Sequence, residues 1–282
     1  MSSYVGRFAP SPTGPLHFGS LIAALASYLD AKHHDGLWLL RIEDLDPPRE
    51  LESAPKQIMS QLHACGLQWD QDVLFQHSRL DAYQSYLDTL STVTYPCICP
   101  RSPGAYARTC RMRTFSQTKT PYAIRLKTHK KPIEIADLFL GKQTFDNDLG
   151  DFIIKRKDGL FAYQLAVIID DVYQKINHVI RGIDLLESTP RQIIIAQQLN
   201  LPEPTYGHIR LAVNPSGQKL SKQSHALEID TSSPLVLLRQ ALIALGQDTQ
   251  NRAISVTQLL TSAARSWDRS LLPQTPFIFT GN

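Results

Sequence analysis

Long hydrophobic runs are missing from this chain of 282 residues, and no apolar stretch approaches the roughly 20 residues that a bilayer-spanning helix needs. The first residues show no basic-then-apolar leader, so the expected location is the cytoplasm. Cysteine is scarce. Of the four, Cys65 stands alone and Cys97, Cys99 and Cys110 cluster, a pattern that suggests a metal rather than a disulfide framework. Net charge is almost absent at +3, so the overall balance says little about partners. Internal repeats and low-complexity tracts are absent as well. With 43% hydrophobic and 20% charged residues, the composition is that of an ordinary globular protein of one large or two ordinary domains.

One segment lacks charge of a single sign. Cys97 to Pro132 holds nine Lys/Arg residues (Arg101, Arg108, Arg111, Arg113, Lys119, Arg125, Lys127, Lys130, Lys131) and no Asp or Glu, which leaves the remainder of the chain at −6. A one-signed basic stretch on an otherwise acidic protein is a candidate polyanion footprint. The plainer reading is a solvated charged face.

What is present starts at Arg7. Arg7-Phe8-Ala9-Pro10-Ser11-Pro12-Thr13-Gly14-Pro15-Leu16-His17-Phe18-Gly19-Ser20 comes after a short apolar run and leads into a helical pattern from Leu16 to Asp30. A strand, a Pro/Gly turn and a helix start bring free N–H groups and a positive dipole end together, which suits phosphate. His17 offers an imidazole donor there, and Gly19 lets a flat ring approach. Such a connection is also an ordinary β-turn-α link, so a second signal is required.

The next apolar run, Leu37 to Ile42, suits a buried parallel strand, and Glu43, Asp44 and Asp46 lie at its C-terminal end. Ligands of open α/β sheets bind outside the carboxyl ends of strands, which favours Glu43; Asp46 before Pro47 reads equally well as a cap. Helices come next at Glu50 to Cys65 and Ser78 to Leu90. Residues 1–94 thus read as the first half of a doubly wound parallel sheet. From 95 to 165 the pattern breaks into short β segments (Tyr122–Lys127, Ile133–Leu138, Phe152–Lys155) between turn signals at Gly141, Asn147, Gly150 and Asp158-Gly159, a β-rich insertion. Residues 166–230 read as the second half: a strand at Ile176–Ile180, a turn at Arg181-Gly182, a helix from Asp184 to Leu199 and a strand at Thr205–Val213. A turn at Asn214–Gly217 then leads into Lys219-Leu220-Ser221-Lys222. Helices at Pro234–Leu245 and Val256–Ser266 make a short C-terminal helical segment, 231–282.

Lys219 and Lys222 supply the second signal, since paired lysines on a loop suit phosphates whose charge rises during reaction. Alone, the tetrapeptide is no more than a charged loop. In order, Pro-Ser-Pro-Thr-Gly-x-Leu-His-x-Gly, then Arg-Ile-Glu-Asp, then Lys-Leu-Ser-Lys resemble the class I aminoacyl-tRNA synthetases, and within them the glutamyl branch. His17-Phe18-Gly19-Ser20 stands at the "HIGH" position and Lys219 to Gln223 at the "KMSKS" position. The likeness spans nearly the whole chain, with two departures. Ser20 replaces the second histidine, and only sixty residues come after Lys222, where glutamyl-tRNA synthetases carry an anticodon-binding domain. No such domain is expected here. That combination resembles the glutamyl-queuosine tRNA(Asp) synthetases.

The resemblance implies a Rossmann-like α/β catalytic core that activates glutamate with ATP and attaches it to the queuosine base of tRNA(Asp). It implies Arg7, Ala9, Ser11, Glu43, Tyr163 and Arg181 around glutamate, with Arg7 and Arg181 as guanidinium forks for carboxylate. It places His17, Gly19, Ser20, Lys219 and Lys222 at ATP, with His17 and Lys222 steadying the phosphates as pyrophosphate leaves. Mg²⁺ is expected with the nucleotide. One structural zinc is expected on Cys97, Cys99 and Cys110; Tyr106, four residues before Cys110, is the fourth ligand the resemblance supports, with water or His77 as alternatives. The expected partners are glutamate, ATP and queuosine-bearing tRNA(Asp), with no membrane, and the expected state is a monomer. Other readings stay open at this level. Arg181 suits a structural ion pair and Tyr163, like Phe161, suits the core. The chain as a whole suits a truncated synthetase charging the 3′ end of tRNA(Glu), or a non-catalytic tRNA-binding paralogue, which retention of His17, Glu43, Arg181 and Lys222 argues against.

Overall fold

The computed structural model describes residues 4–100, 108–112, 120–128, 131–145, 149–210, 212–214, 216–217, 227–247 and 253–279. Val5–Phe8 (β1), Leu37–Ile42 (β2) and Leu74–Phe75 (β3) pair in parallel, in the order β1-β2-β3. Between β1 and β2 runs Phe18–His33 (α1), whose Leu21, Leu25, Leu29 and alanines are buried on nearly every side. A helix apolar all round belongs inside, and α1 is the axis of the largest core cluster. The next helix, Ala54–Ala64 (α2), starts later than its apolar pattern because Pro55 occupies its first turn. Leu80–Thr89 (α3) comes after β3, a two-residue strand with too little pattern to be read from sequence.

The insertion is antiparallel. Thr94–Cys97 (β4), Ala123–Leu126 (β5) and Phe152–Lys155 (β8) form one sheet, and Ile133–Asp137 (β6) pairs with Gly141–Phe145 (β7) as a hairpin. Gly141, expected in a turn, is the first residue of β7, with φ +69°. The turn itself is capped by Asp137, whose Oδ1 accepts from Phe139 N at 3.0 Å and Leu140 N at 3.1 Å. The hairpin packs on the core, where Gly207 makes room: a Cβ there would lie 2.7 Å from the Phe139 ring.

Helix Tyr163–Tyr173 (α4) leads to strand His178–Gly182 (β9), which pairs in parallel with Thr205–Ile209 (β10). Arg181 and Gly182 are therefore ladder residues and not a turn, because Arg181 sits in register with His208. The expected helix from Asp184 divides into a 3₁₀ stretch, Ile183–Ser188, and Thr189–Gln198 (α5), since Pro190 has no N–H to continue the ladder. The expected strand to Val213 also divides. Ala212–Val213 (β11) leaves β10 to pair with Phe277–Ile278 (β12).

Asn177 joins the two parallel sets: its Oδ1 accepts from Val5 N at 2.8 Å and its N–H donates to Val5 O at 3.0 Å, bringing β9 beside β1. Strand order reverses between them, the place where open α/β sheets bind ligands. Helices Pro234–Ala244 (α6) and Val256–Arg265 (α7) pack on α1. The buried Asp30 of α1 anchors the segment beyond α7, accepting from Trp267 Nε1 at 2.8 Å and Arg269 Nε at 2.7 Å, and also from the Tyr4 hydroxyl. No helix among the described residues is long and apolar enough to cross a membrane.

Candidate active site

A cavity of about 460 Å³ opens at the C-terminal ends of β1 and β9. Arg7, Ala9, Ser11, His17, Gly19, Ser20, Glu43, Tyr163 and Arg181 all line it. Every described residue expected at glutamate or ATP thus faces one space, although they come from four separate stretches of chain. Phe161, by contrast, is core. Lys219 and Lys222 lie outside the described residues. The segments on either side of them reach the cavity: Ala212 lines its wall, and Glu228 bridges His17 as an antiparallel pair. The buried Gln61 clips these two stretches together, accepting from Leu16 N at 2.8 Å and donating to Glu228 Oε1 at 2.9 Å.

At the floor, three arginines meet two carboxylates. Arg41, wholly buried within the apolar run of β2, donates to Asp171 Oδ1 at 2.6 Å and to Gln174 Oε1 at 2.9 Å. Arg7 Nε reaches the same Asp171 oxygen at 3.3 Å. Burial alone would raise the Asp171 pKa, but Arg41 and Arg7 outweigh it and hold the carboxyl below its usual range. Glu43 is differently placed. Burial pushes its pKa up to about 7, against the pull of Arg41 and Arg7, because its nearest cation, Arg41 Nη2, is 3.9 Å away. Its Oε1 is buried and has no hydrogen-bond partner among the described residues. An acceptor of that kind at a cavity wall is suited to a cationic donor.

Arg181 is held more tightly than a recognition fork should be. Its Nε donates to His208 Nε2 at 3.1 Å, and its Nη2 donates to Thr189 Oγ1 at 2.7 Å and Gln192 Oε1 at 2.8 Å. Its Nη1 reaches the Tyr163 hydroxyl at 3.3 Å. With Nε and Nη2 occupied inside the protein, a two-pronged grip is not available, and Nη1 is the donor that Arg181 keeps for the cavity. Arg7 has its terminal nitrogens uncommitted among the described residues and is the better fork.

His17 caps α1 and accepts from Ser20 N at Nδ1, 3.2 Å away, so the neutral ring carries its proton on Nε2, which lies 2.9 Å from Ser20 Oγ. The residue that departs from the "HIGH" pattern is thus the one that orients the first histidine.

Cys97, Cys99 and Cys110 bring their Sγ atoms within 4.8 Å of one another, a spacing that suits thiolate ligation of one zinc ion. Tyr106 lies outside the described residues. His77 does not join them; it pairs with Asp44 at the end of β2. The basic stretch is partly turned inward. Arg108 and Arg111, on either side of Cys110, reach the buried Asp151 at 3.4 and 3.5 Å, and Arg125 donates to the Asp151 carbonyl at 2.7 Å. These three cations tie the segment around Cys110 and β5 to Asp151, the residue before β8.

Sequence reasoning missed Asp171, Arg41, Gln192, His208 and Asp137. A signal existed for two of them: Arg41 interrupts the apolar run of β2, and Asp170-Asp171 interrupts the apolar pattern of α4. Charges inside buried elements demand partners.

Comparison with known proteins agrees with this geometry. The family described as tRNA synthetases class I (E and Q), catalytic domain, matches residues 4–103 and 100–245. A protein of Shewanella oneidensis named glutamyl-Q tRNA(Asp) synthetase is 46% identical over 283 residues, covering 96% of this chain and 93% of its own. One of the same name from Escherichia coli K12 is 43% identical over 288 residues, covering 98% and 93%. A crystal structure of a glutamate tRNA ligase from Elizabethkingia meningosepticum, in complex with its amino acid, is similar with a TM-score of 0.83 and 25% identity, covering 99% of this chain and 67% of that one. A strand-order switch carrying this charged cavity is the class I synthetase catalytic fold, and the chain belongs to the class I tRNA synthetases of the E and Q family.

Proposed function

We propose that this chain activates L-glutamate with ATP and transfers the glutamyl group to the queuosine base of tRNA(Asp). The observation that carries the reading is a single cavity that runs from the Arg7–Glu43–Arg181 floor to His17 at the start of α1. Glutamate carries two carboxylates and an ammonium. Arg7 and Arg181 Nη1 suit the former, Glu43 Oε1, which has no hydrogen-bond partner among the described residues, suits the latter, and Tyr163, Ala9 and Ser11 close the pocket. ATP would lie toward His17, Gly19 and Ser20, where the first N–H groups of α1 and its dipole favour phosphate. A substrate carboxylate oxygen then bonds to the α-phosphorus, the bond to the bridging oxygen breaks, and pyrophosphate leaves past His17, Lys219 and Lys222. In the second step a hydroxyl of the queuosine ring attacks the adenylate carbonyl, forming an ester and releasing AMP. The choice of queuosine-bearing tRNA(Asp) is supported by the relatives of that name.

Glutamate-dependent ATP–pyrophosphate exchange tests the first step. Labelled glutamate should then load tRNA(Asp) that carries queuosine and leave tRNA(Asp) without it unlabelled, with the label mapping to the modified nucleotide after nuclease digestion. Absent exchange, or equal loading of both tRNAs, overturns the reading; label at the 3′ end of tRNA(Glu) replaces it with a truncated glutamyl-tRNA synthetase.

The chemistry of the three thiols fits zinc, with Tyr106 as the proposed fourth ligand; when bound, the ion would act as a cross-link between β4 and the segment at Cys110. The purified chain should hold one equivalent of zinc by elemental analysis, and Cys110→Ser should lose it along with thermal stability. A chain that binds none at full activity sinks the zinc reading.

A further inference from the structure

Arg181 is aimed by a side chain that lies far from it in sequence and outside the parallel sheet. Asp137 ends β6 in the insertion hairpin, and both its side chain and that of His208 are wholly buried. Its Oδ2 lies 2.5 Å from His208 Nδ1, and His208 Nε2 lies 3.1 Å from Arg181 Nε. Arginine has donors and no acceptor, so His208 Nε2 must accept, and in a neutral ring the proton must then sit on Nδ1, facing Asp137. Burial holds His208 below its usual pKa, in keeping with the neutral ring.

We propose that Asp137 and His208 are positioning residues for the amino-acid pocket. Asp137 selects the His208 tautomer, the tautomer presents a lone pair to Arg181 Nε, and that contact turns Nη1 toward the cavity. The proposal rests on the reading of Arg181 as a contact to glutamate. It makes the insertion hairpin part of substrate recognition, although no residue of the hairpin lines the cavity.

Asp137 also supplies a sharp test, because its two oxygens do different work. Oδ1 accepts from three backbone groups, Phe139 N at 3.0 Å, Leu140 N at 3.1 Å and His208 N at 3.2 Å. In Asp137→Asn those three donors keep the amide oxygen at the Oδ1 position, so the NH₂ group falls opposite His208 Nδ1. His208 must then accept at Nδ1 and carry its proton on Nε2, which turns to Thr189 Oγ1, 3.1 Å away, and leaves the buried Arg181 Nε–H facing a donor in place of its acceptor. The turn stays capped while the polarity of the relay reverses.

The experiment is ¹⁵N NMR of the histidine side chains in the full chain, assigned with His208→Gln, together with ATP–pyrophosphate exchange. The wild type should show His208 protonated on Nδ1 and the variant on Nε2. KM for glutamate in the variant should rise roughly 10- to 100-fold, the cost of a buried donor left opposed. KM for ATP and kcat should stay within about twofold, since the contact to glutamate is weakened equally in the ground state and the transition state. A wild-type ring protonated on Nε2 overturns the proposal, whether or not the variant folds. So does a switched tautomer with unchanged KM for glutamate, or a common loss in both KM values and kcat, the mark of a merely structural role. A wild-type chain with no glutamate-dependent exchange fails the functional reading instead, and the relay then stands or falls on the tautomer.

Discussion

Asp171→Ala is expected to cost about 3–5 kcal/mol of unfolding free energy, the range for removing one partner of a buried ion pair. For a chain of this size that is a fall in Tm of roughly 10 °C. Asp171 is the point at which the two halves of the fold share charge. It stands on α4, while Arg7 and Arg41 stand on β1 and β2, and both donate to its Oδ1. Arg41 has no exposed surface. Without Asp171 the nearest remaining anion to Arg41 is Glu43 at 3.9 Å, a residue poised near neutrality rather than firmly ionised. Glu43 would be drawn onto Arg41, its pKa would fall, and the cavity would lose the acceptor proposed for the substrate ammonium. Glutamate-dependent exchange should therefore fall together with stability. Urea melts check the first effect and initial rates the second. A loss below about 1 kcal/mol in Asp171→Ala would show that the arginines do not depend on this carboxylate.

Replacing Glu43 by glutamine should separate the two properties that Asp171 couples. KM for glutamate should rise roughly 100-fold, since a buried charge-assisted contact to the ammonium is lost. Stability should move the other way. The folded-state pKa of about 7 lies above the ordinary glutamate value, so the folded protein binds this proton more tightly than the unfolded chain does. The contribution to stability is then complete at acid pH and is lost as pH rises from the unfolded value through about 7. Above that, holding Glu43 ionised costs about 1–3 kcal/mol, after allowing for water in the cavity, and the Glu43→Gln variant would be spared it. Substrate binding has the opposite linkage. Only the carboxylate accepts the ammonium, so KM for glutamate should be flat well above the folded-state pKa of about 7 and climb as pH falls through it. Near that pH binding should release protons, measurable by titration calorimetry in buffers of different ionisation enthalpy. A KM independent of pH across the unit on either side of that pKa, with no proton release, would remove Glu43 from the ammonium site.

The cavity residues that are legible in the sequence share one property: they sit in short segments whose local pattern is itself unusual. Arg7 to Ser20 combines strand, Pro/Gly turn and helix start within fourteen residues, and Glu43 comes directly after an apolar run. Tyr163 and Arg181 are reached through the resemblance alone, and periodicity misleads about Arg181, since a Gly after an apolar run reads as a turn until its parallel partner is known. The same limit explains the division of the strand before Ala212, a boundary that depends on Phe277–Ile278 from the far end of the chain.

The sequence by itself determined the elements that local chemistry can hold: the apolar strands and the buried α1, the anion-ready start of that helix at His17, the cysteine cluster, and a signature order of motifs that names a family. Tertiary structure alone decided how the charges are distributed. A buried arginine must take whichever acceptor the packing delivers, and such acceptors are not neighbours in sequence. Arg41 found Asp171, and Arg181 found His208 and, through it, Asp137, while the half-buried Arg108 and Arg111 found the buried Asp151. For the buried Arg41 and Arg181 the cost of being left unpaired is several kcal/mol, which is why the pairing is specific even though the local sequence does not say which partner each will meet.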